Sequence, residues 1–228
     1  AFPKEYKENH QAYIDCIINE MLPAISKENL ADFIDVFCET GYFSVSETEQ
    51  IMEAGKKFGL ISKIHANQFN AIGGLKAAVN SKALSVDHLE IMTTEDIEIL
   101  KNSNTMPVAL PSCSYFLGIP YTPARKMIEA GLPLALATDF NPGSSPICSI
   151  QTIWALACTQ MKMMPVEAFH AVTCNAARAL RLEGEVGSLA VGMRADFFTT
   201  KTVDAVKGIP YFFGQNHVDS VFVGGDRL

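Results

Sequence analysis

From about Phe33 to Asp139, short apolar runs alternate with stretches of helical periodicity. Strands alternating with helices are the signature of a parallel α/β sheet or barrel. The runs are Phe33–Glu39, Leu60–His65, Ala83–His88, Thr105–Pro111 and Leu134–Ala137. Between them, Ser46 and Glu49 read as a capping box for a helix through about Phe58, with Gly59 as its stop. Gly73-Gly74 opens a helix to about Val79, and Thr93 to Asp96 repeats the capping pattern for a helix to about Lys101. Thr122 reads as an N-cap with Pro123 at the first helical position, and that helix stops at Gly131. Ahead of the alternation, Tyr13, Ile14, Ile17, Ile18, Met21 and Leu22 recur at helical spacing, and Pro23 is expected to end the run. Beyond it come helices at Ile150–Met161, Pro165–Val172 and Asn175–Leu180. Gly184, Gly187 and Gly192 then punctuate two short strands, Ala195–Thr200 and Val218–Val223, a pattern of a small β domain.

Polar chemistry recurs where these strands stop, at Glu39, His65, His88 and Asp139. In a barrel those strand ends face the active-site mouth. Asp139 is followed by Asn141-Pro142-Gly143-Ser144-Ser145-Pro146, a turn cluster expected to offer free backbone N–H groups. Imidazole and carboxylate suit zinc or iron. Such an ion lowers the pKa of bound water to about 7. His65 and Asp139 read as metal ligands, His88 as a ligand or an acid, and Asp139 also as a proton acceptor. His10, His170 and His217 read as solvated or packed, and Glu39 as a strand-end cap or ion-pair partner.

The 228 residues carry a net charge of −7 without a Lys/Arg cluster, which argues against a nucleic acid or an anionic membrane as partner. No apolar run is long enough to span a bilayer, and neither a GxGxxG nor a P-loop is present. The six cysteines are scattered without a CxxC. They read as small buried hydrophobes in a reducing, cytoplasmic setting.

IHANQ around His65, SVDHLE around His88 and ATDFNPGSSP around Asp139 resemble the imidazolonepropionases of the amidohydrolase superfamily. GEVGSLAVGMRADFF, NAARAL, FPKEY and PYFFGQNHV extend the resemblance over nearly the whole chain. The resemblance implies an α/β fold: the second half of a (β/α)₈ TIM barrel over residues 1–183 and a segment of a small β-sandwich over 184–228. It implies one divalent or trivalent ion, zinc or iron, and hydrolysis of 4-imidazolone-5-propanoate to N-formimidoyl-L-glutamate in histidine degradation. By position, His65 and Asp139 become metal ligands, and His88 polarises the carbonyl or stabilises the oxyanion. Gln68 takes a catalytic and substrate-binding place, Asn141, Gly143 and Ser144 fall on the substrate loop, and Asn67 stands where the family has an aspartate. The family's first-strand His-x-His, arginine and tyrosine have no match here. The expectation is therefore a C-terminal portion that is inactive alone. Its expected partners are a small-molecule substrate, the missing N-terminal half and a second copy of the chain. Alternatives are another superfamily aminohydrolase, acting on a purine or triazine ring, and an inactive association fragment.

Overall fold

Parallel pairing begins where the sequence places it. In the computed structural model, which describes residues 2–228, the chain divides into two units, one ending at Pro107 and one spanning Val108–Leu228. In the first unit, β1 (Phe33–Cys38), β2 (Ile61–Ala66) and β3 (Ser85–His88) lie in parallel, with Phe37 opposite His65 and His65 opposite Asp87. One strand face is apolar. Ile34, Val36, Cys38, Ile64, Ala66 and Val86 are buried on it, as are Ile51, Met52, Leu75, Ala77 and Ala78 from the helices Val45–Lys57 and Gly74–Asn80. Burying one such aliphatic side chain contributes about 1.5–3 kcal/mol. The packing is close enough to exclude a methyl group: a Cβ on Gly74 would lie 2.8 Å from the Ala66 Cβ and 3.1 Å from Cys38.

Three details of this unit differ from the sequence reading. Pro23 does not end the first helix. His10–Cys16 passes through a π turn at Ile17–Met21 and resumes as Leu22–Glu28. Pro23 thus sits in the first turn of the resumed segment, where its missing N–H costs least. The capping box is Ser44 with Glu47, two residues earlier than expected. Phe43 is buried and bonded through its backbone to Phe37 and Glu39, which leaves Ser44 as the last non-helical residue. The helix Thr94–Lys101 carries the Thr93–Asp96 box as expected.

The residues of β4 (Met106–Ala109) are divided between the units; within the first, the Met106 N–H donates to the Leu84 carbonyl. In the second unit its Val108 and Ala109 pair in parallel with β5 (Ala135–Leu136). A helix at Pro111–Leu117 follows β4 without a sequence counterpart in the reading above; Pro111 stands in its first turn. The next helix runs Ala124–Glu129, with Pro123 rather than Thr122 at its cap. Helices Ile150–Gln160, Pro165–Val172 and Cys174–Ala179 complete the helical part. Arg125 clamps two of these segments by donating both guanidinium branches to the Glu167 carboxylate at 3.0 and 2.9 Å. A separate antiparallel sheet contains β6 (Phe197–Thr200), β7 (Val218–Val223) and β8 (Asp226–Arg227). Gly224-Gly225, both at positive φ, make the two-residue turn that pairs Val223 with Asp226. All six cysteines are free thiols, with Cys38 and Cys113 buried and Cys148 exposed. No helix among the described residues is long and apolar enough to cross a membrane.

Candidate metal centre

The face of β1–β3 opposite the apolar one is polar. Alternation puts Asp35 and Phe37 of β1 on it, with Lys63 and His65 of β2 and Ser85 and Asp87 of β3. There Asp35, His65 and Asp87 each present a ligand atom, all within 4.8 Å of one another. The Nδ1 of His65 is 2.9 Å from the Asp35 carboxylate. A carboxylate on one imidazole nitrogen fixes the tautomer and raises the basicity of the other, as it does for metal-bound histidines. Ser85 Oγ donates to Asp87 Oδ1 at 2.8 Å, and Lys63 Nζ donates to Ser85. Burial pushes the Asp87 carboxyl up, against the opposing pull of Lys63 and His65. The imidazole of His65 and the carboxylate of Asp87 are donor types that fit a zinc-class ion, with Asp35 standing behind His65 on its Nδ1.

His88 reaches this face by a backbone device. Strict alternation would place its side chain with Val86 on the apolar side. Instead His88 and Leu89 adopt left-handed φ values of 83° and 66°. The His88 ring lies 5.3 Å from that of His65 and 6.3 Å from that of Phe37, while Leu89 is buried. Left-handed backbone at two consecutive non-glycine residues costs energy that the surroundings must hold in place. Asn67, itself at φ 57°, supplies part of that hold. Its side chain donates to the Ile91 carbonyl at 3.0 Å, and the Ile91 N–H donates to the Asn67 backbone carbonyl at 2.8 Å. The Nδ1 of His88 is 3.3 Å from Glu90 Oε1, and both side chains are buried.

Gln68 is also buried, on the turn after β2. That turn is bonded to Glu39, 1% exposed at the end of β1. Burial would raise the Glu39 pKa, but hydrogen bonds from Phe69, Thr40 and Asn70 outweigh it and hold the carboxyl below the usual range. A depressed folded pKa means that the carboxylate's stabilisation is complete above the ordinary glutamate range. It is lost as pH falls through the lower folded value. Urea midpoints of the wild type and Glu39→Gln are therefore expected to differ at neutral pH and converge in acid.

In the second unit, Asp139 follows β5 with a left-handed φ of 51°. The loop behind it is not a set of free N–H groups. Gly143 N and Ser144 N both donate to Asn141 Oδ1, at 2.9 and 2.8 Å. Asn141 Nδ2 donates to the Asp139 carbonyl at 2.7 Å, and Ser112 and Ser145 both donate to the Thr138 carbonyl. An asparagine that can cap its own following turn satisfies the donors that the sequence reading left open. Among the other histidines, His10 pairs with Glu47 at 3.0 Å and stacks on Phe2. His217 is buried, its N–H donating to Gln151 at 3.1 Å.

Asp35, Asp87 and Glu90 were not singled out by the sequence reading. Each aspartate lies within a strand, and the contact of Asp35 with His65 runs across strands, so only the strand register brings them together.

Residues 42–228 match the amidohydrolase family. The chain is 60% identical over 225 residues to an imidazolonepropionase of Flavobacterium psychrophilum, covering 99% of this chain and 55% of that one. It is 59% identical over 228 residues to the imidazolonepropionase of Flavobacterium johnsoniae, covering 56% of that protein. The chain thus spans about half the length of the curated relatives it matches. Among solved structures it is similar to a zinc-bound adenosine deaminase from Xanthomonas campestris. That match has a TM-score of 0.77 at 15% identity and covers 92% of this chain and 55% of the other. The parallel strands and the separate antiparallel sheet accord with part of a (β/α)₈ barrel plus a small β-sheet, and the chain belongs to the amidohydrolase family.

Proposed function

We propose that this chain carries the C-terminal part of an imidazolonepropionase. Its reaction is metal-dependent hydrolysis of the cyclic amide C–N bond of 4-imidazolone-5-propanoate to N-formimidoyl-L-glutamate, in histidine degradation. The observation that carries this reading is the 60% identity to such an enzyme over 225 residues.

In the first unit, His65 is a metal ligand oriented by Asp35. His88 donates to the substrate carbonyl oxygen as charge grows on it, with Glu90 steadying the imidazole. Gln68 contacts the substrate and acts in catalysis. In the second unit, Asp139 is a ligand and the proton acceptor, and Asn141, Gly143 and Ser144 form the substrate loop. When bound, the ion, zinc or iron, supplies Lewis acidity. Residues 1–183 belong to the barrel and 184–228 to the small β domain. The remaining ligands come from the N-terminal half, and the setting is cytoplasmic, with a second copy as a further partner.

The test is a substrate panel on the chain extended upstream to the length of its relatives. Turnover of 4-imidazolone-5-propanoate is expected, with none of amino-substituted purines or triazines. Ammonia release from the latter without imidazolone turnover would overturn the reading.

A further inference from the structure

Glu39 is a buried carboxylate to which the chemistry above assigns no part. It is fixed at both backbone ends: its N–H donates to the Phe43 carbonyl and its carbonyl accepts from Tyr42. Its side chain receives four N–H donors. Oε1 accepts from the Thr40 N–H at 2.7 Å and from Asn70 Nδ2 at 3.1 Å. Oε2 accepts from the Phe69 N–H at 2.9 Å and the Asn70 N–H at 3.1 Å. Two donors on each oxygen is a demand that an ionised carboxylate meets and an amide cannot. The Phe69 N–H belongs to the peptide group that Gln68 itself opens. Holding that N–H therefore fixes the peptide plane after Gln68 and, with it, the direction in which the Gln68 Cα–Cβ bond leaves the backbone.

We propose that Glu39 is a positioning residue for Gln68, locking the turn after β2 from the end of the neighbouring strand. The proposal rests on the reading of Gln68 as a catalytic residue that meets the substrate. A strand-end acid that merely capped its own strand would have no reason to gather consecutive N–H groups from the next loop.

Glu39→Gln keeps the shape and replaces one oxygen with an amide NH₂. Whichever way that amide turns, two donors lose their acceptor and face a third donor. Hydrogen exchange on the 228-residue chain is expected to quicken at Phe69 and Asn70 by about tenfold or more, while Ile61–Ala66 keep their protection. In the chain extended upstream, kcat is expected to fall by about tenfold or more with KM within about twofold, because a misdirected Gln68 costs transition-state contact rather than ground-state binding. Glu39→Asp, which keeps four acceptor sites, restores part of the loss. The double variant with Gln68→Ala is expected to be no worse than the more damaged single variant.

Unchanged exchange at Phe69 and Asn70, or losses that multiply in the double variant, would overturn the proposal. Should Glu39→Gln not fold, Asn70→Ala removes only the side-chain bond, and it must quicken exchange at Phe69 for the proposal to stand. A wild-type extended chain without imidazolone turnover would sink the functional reading, while the exchange experiment would still decide the clamp.

Discussion

Replacing His65 with alanine in the chain extended upstream is expected to remove the metal and reduce hydrolysis by at least about 100-fold. Loss of a carboxylate behind a liganding histidine typically costs about 10–100-fold in metal affinity, and loss of the ligand itself must cost more. Asp35→Ala supplies the internal comparison. Its carboxylate sits 2.9 Å from His65 Nδ1, so its removal is expected to fall inside that 10–100-fold range rather than beyond it. Competition for zinc against a chromophoric chelator reads both variants. A His65→Ala protein that retains the ion as well as the wild type would place the metal elsewhere.

The second large effect concerns the strand that presents His65. Ile64 is fully buried at the centre of β2, directly beside the histidine in sequence and on the opposite face. Truncation to alanine leaves a cavity against helices that already pack closely, as the Gly74 contacts with Ala66 and Cys38 indicate. Ile64→Ala is expected to destabilise the protein by about 2–5 kcal/mol, and Ile64→Val by about 0.5–1.5 kcal/mol. Domains are typically stable by about 5–15 kcal/mol, so the alanine variant is expected to lose a large part of its stability. The check is the urea midpoint at unchanged m-value. A loss below about 1 kcal/mol for alanine would mean that the strand face is far less tightly covered than its burial indicates.

The strands and most helices were legible because buried parallel strands and amphipathic helices write their periods directly into the order of apolar residues. His65, at the end of one such run, could be found that way. His88 could be named from its position but not placed. Only the left-handed backbone at His88 and Leu89 puts the ring beside His65, and no two-residue period encodes that turn. Asp35 and Asp87 were overlooked because each sits within a strand rather than at its end, and only the register of three strands brings them together. The loop after Asp139 shows the opposite limit. Its composition correctly marks a turn, but whether its N–H groups are open or closed on Asn141 depends on one side chain's reach. Pro23 misled for a similar reason, since a π turn lets a helix restart around a residue that normally stops one.

On the function proposed above, this segment supplies part of a metal-dependent hydrolytic site. The most direct test of that role is elemental analysis paired with hydrolysis of 4-imidazolone-5-propanoate, on this chain and on the chain extended upstream. Near-stoichiometric zinc or iron in the extended protein, with turnover that disappears on chelation and returns on metal addition, is the expected result. A properly folded extended protein with neither metal nor turnover would contradict it, as would turnover that survives complete removal of the metal.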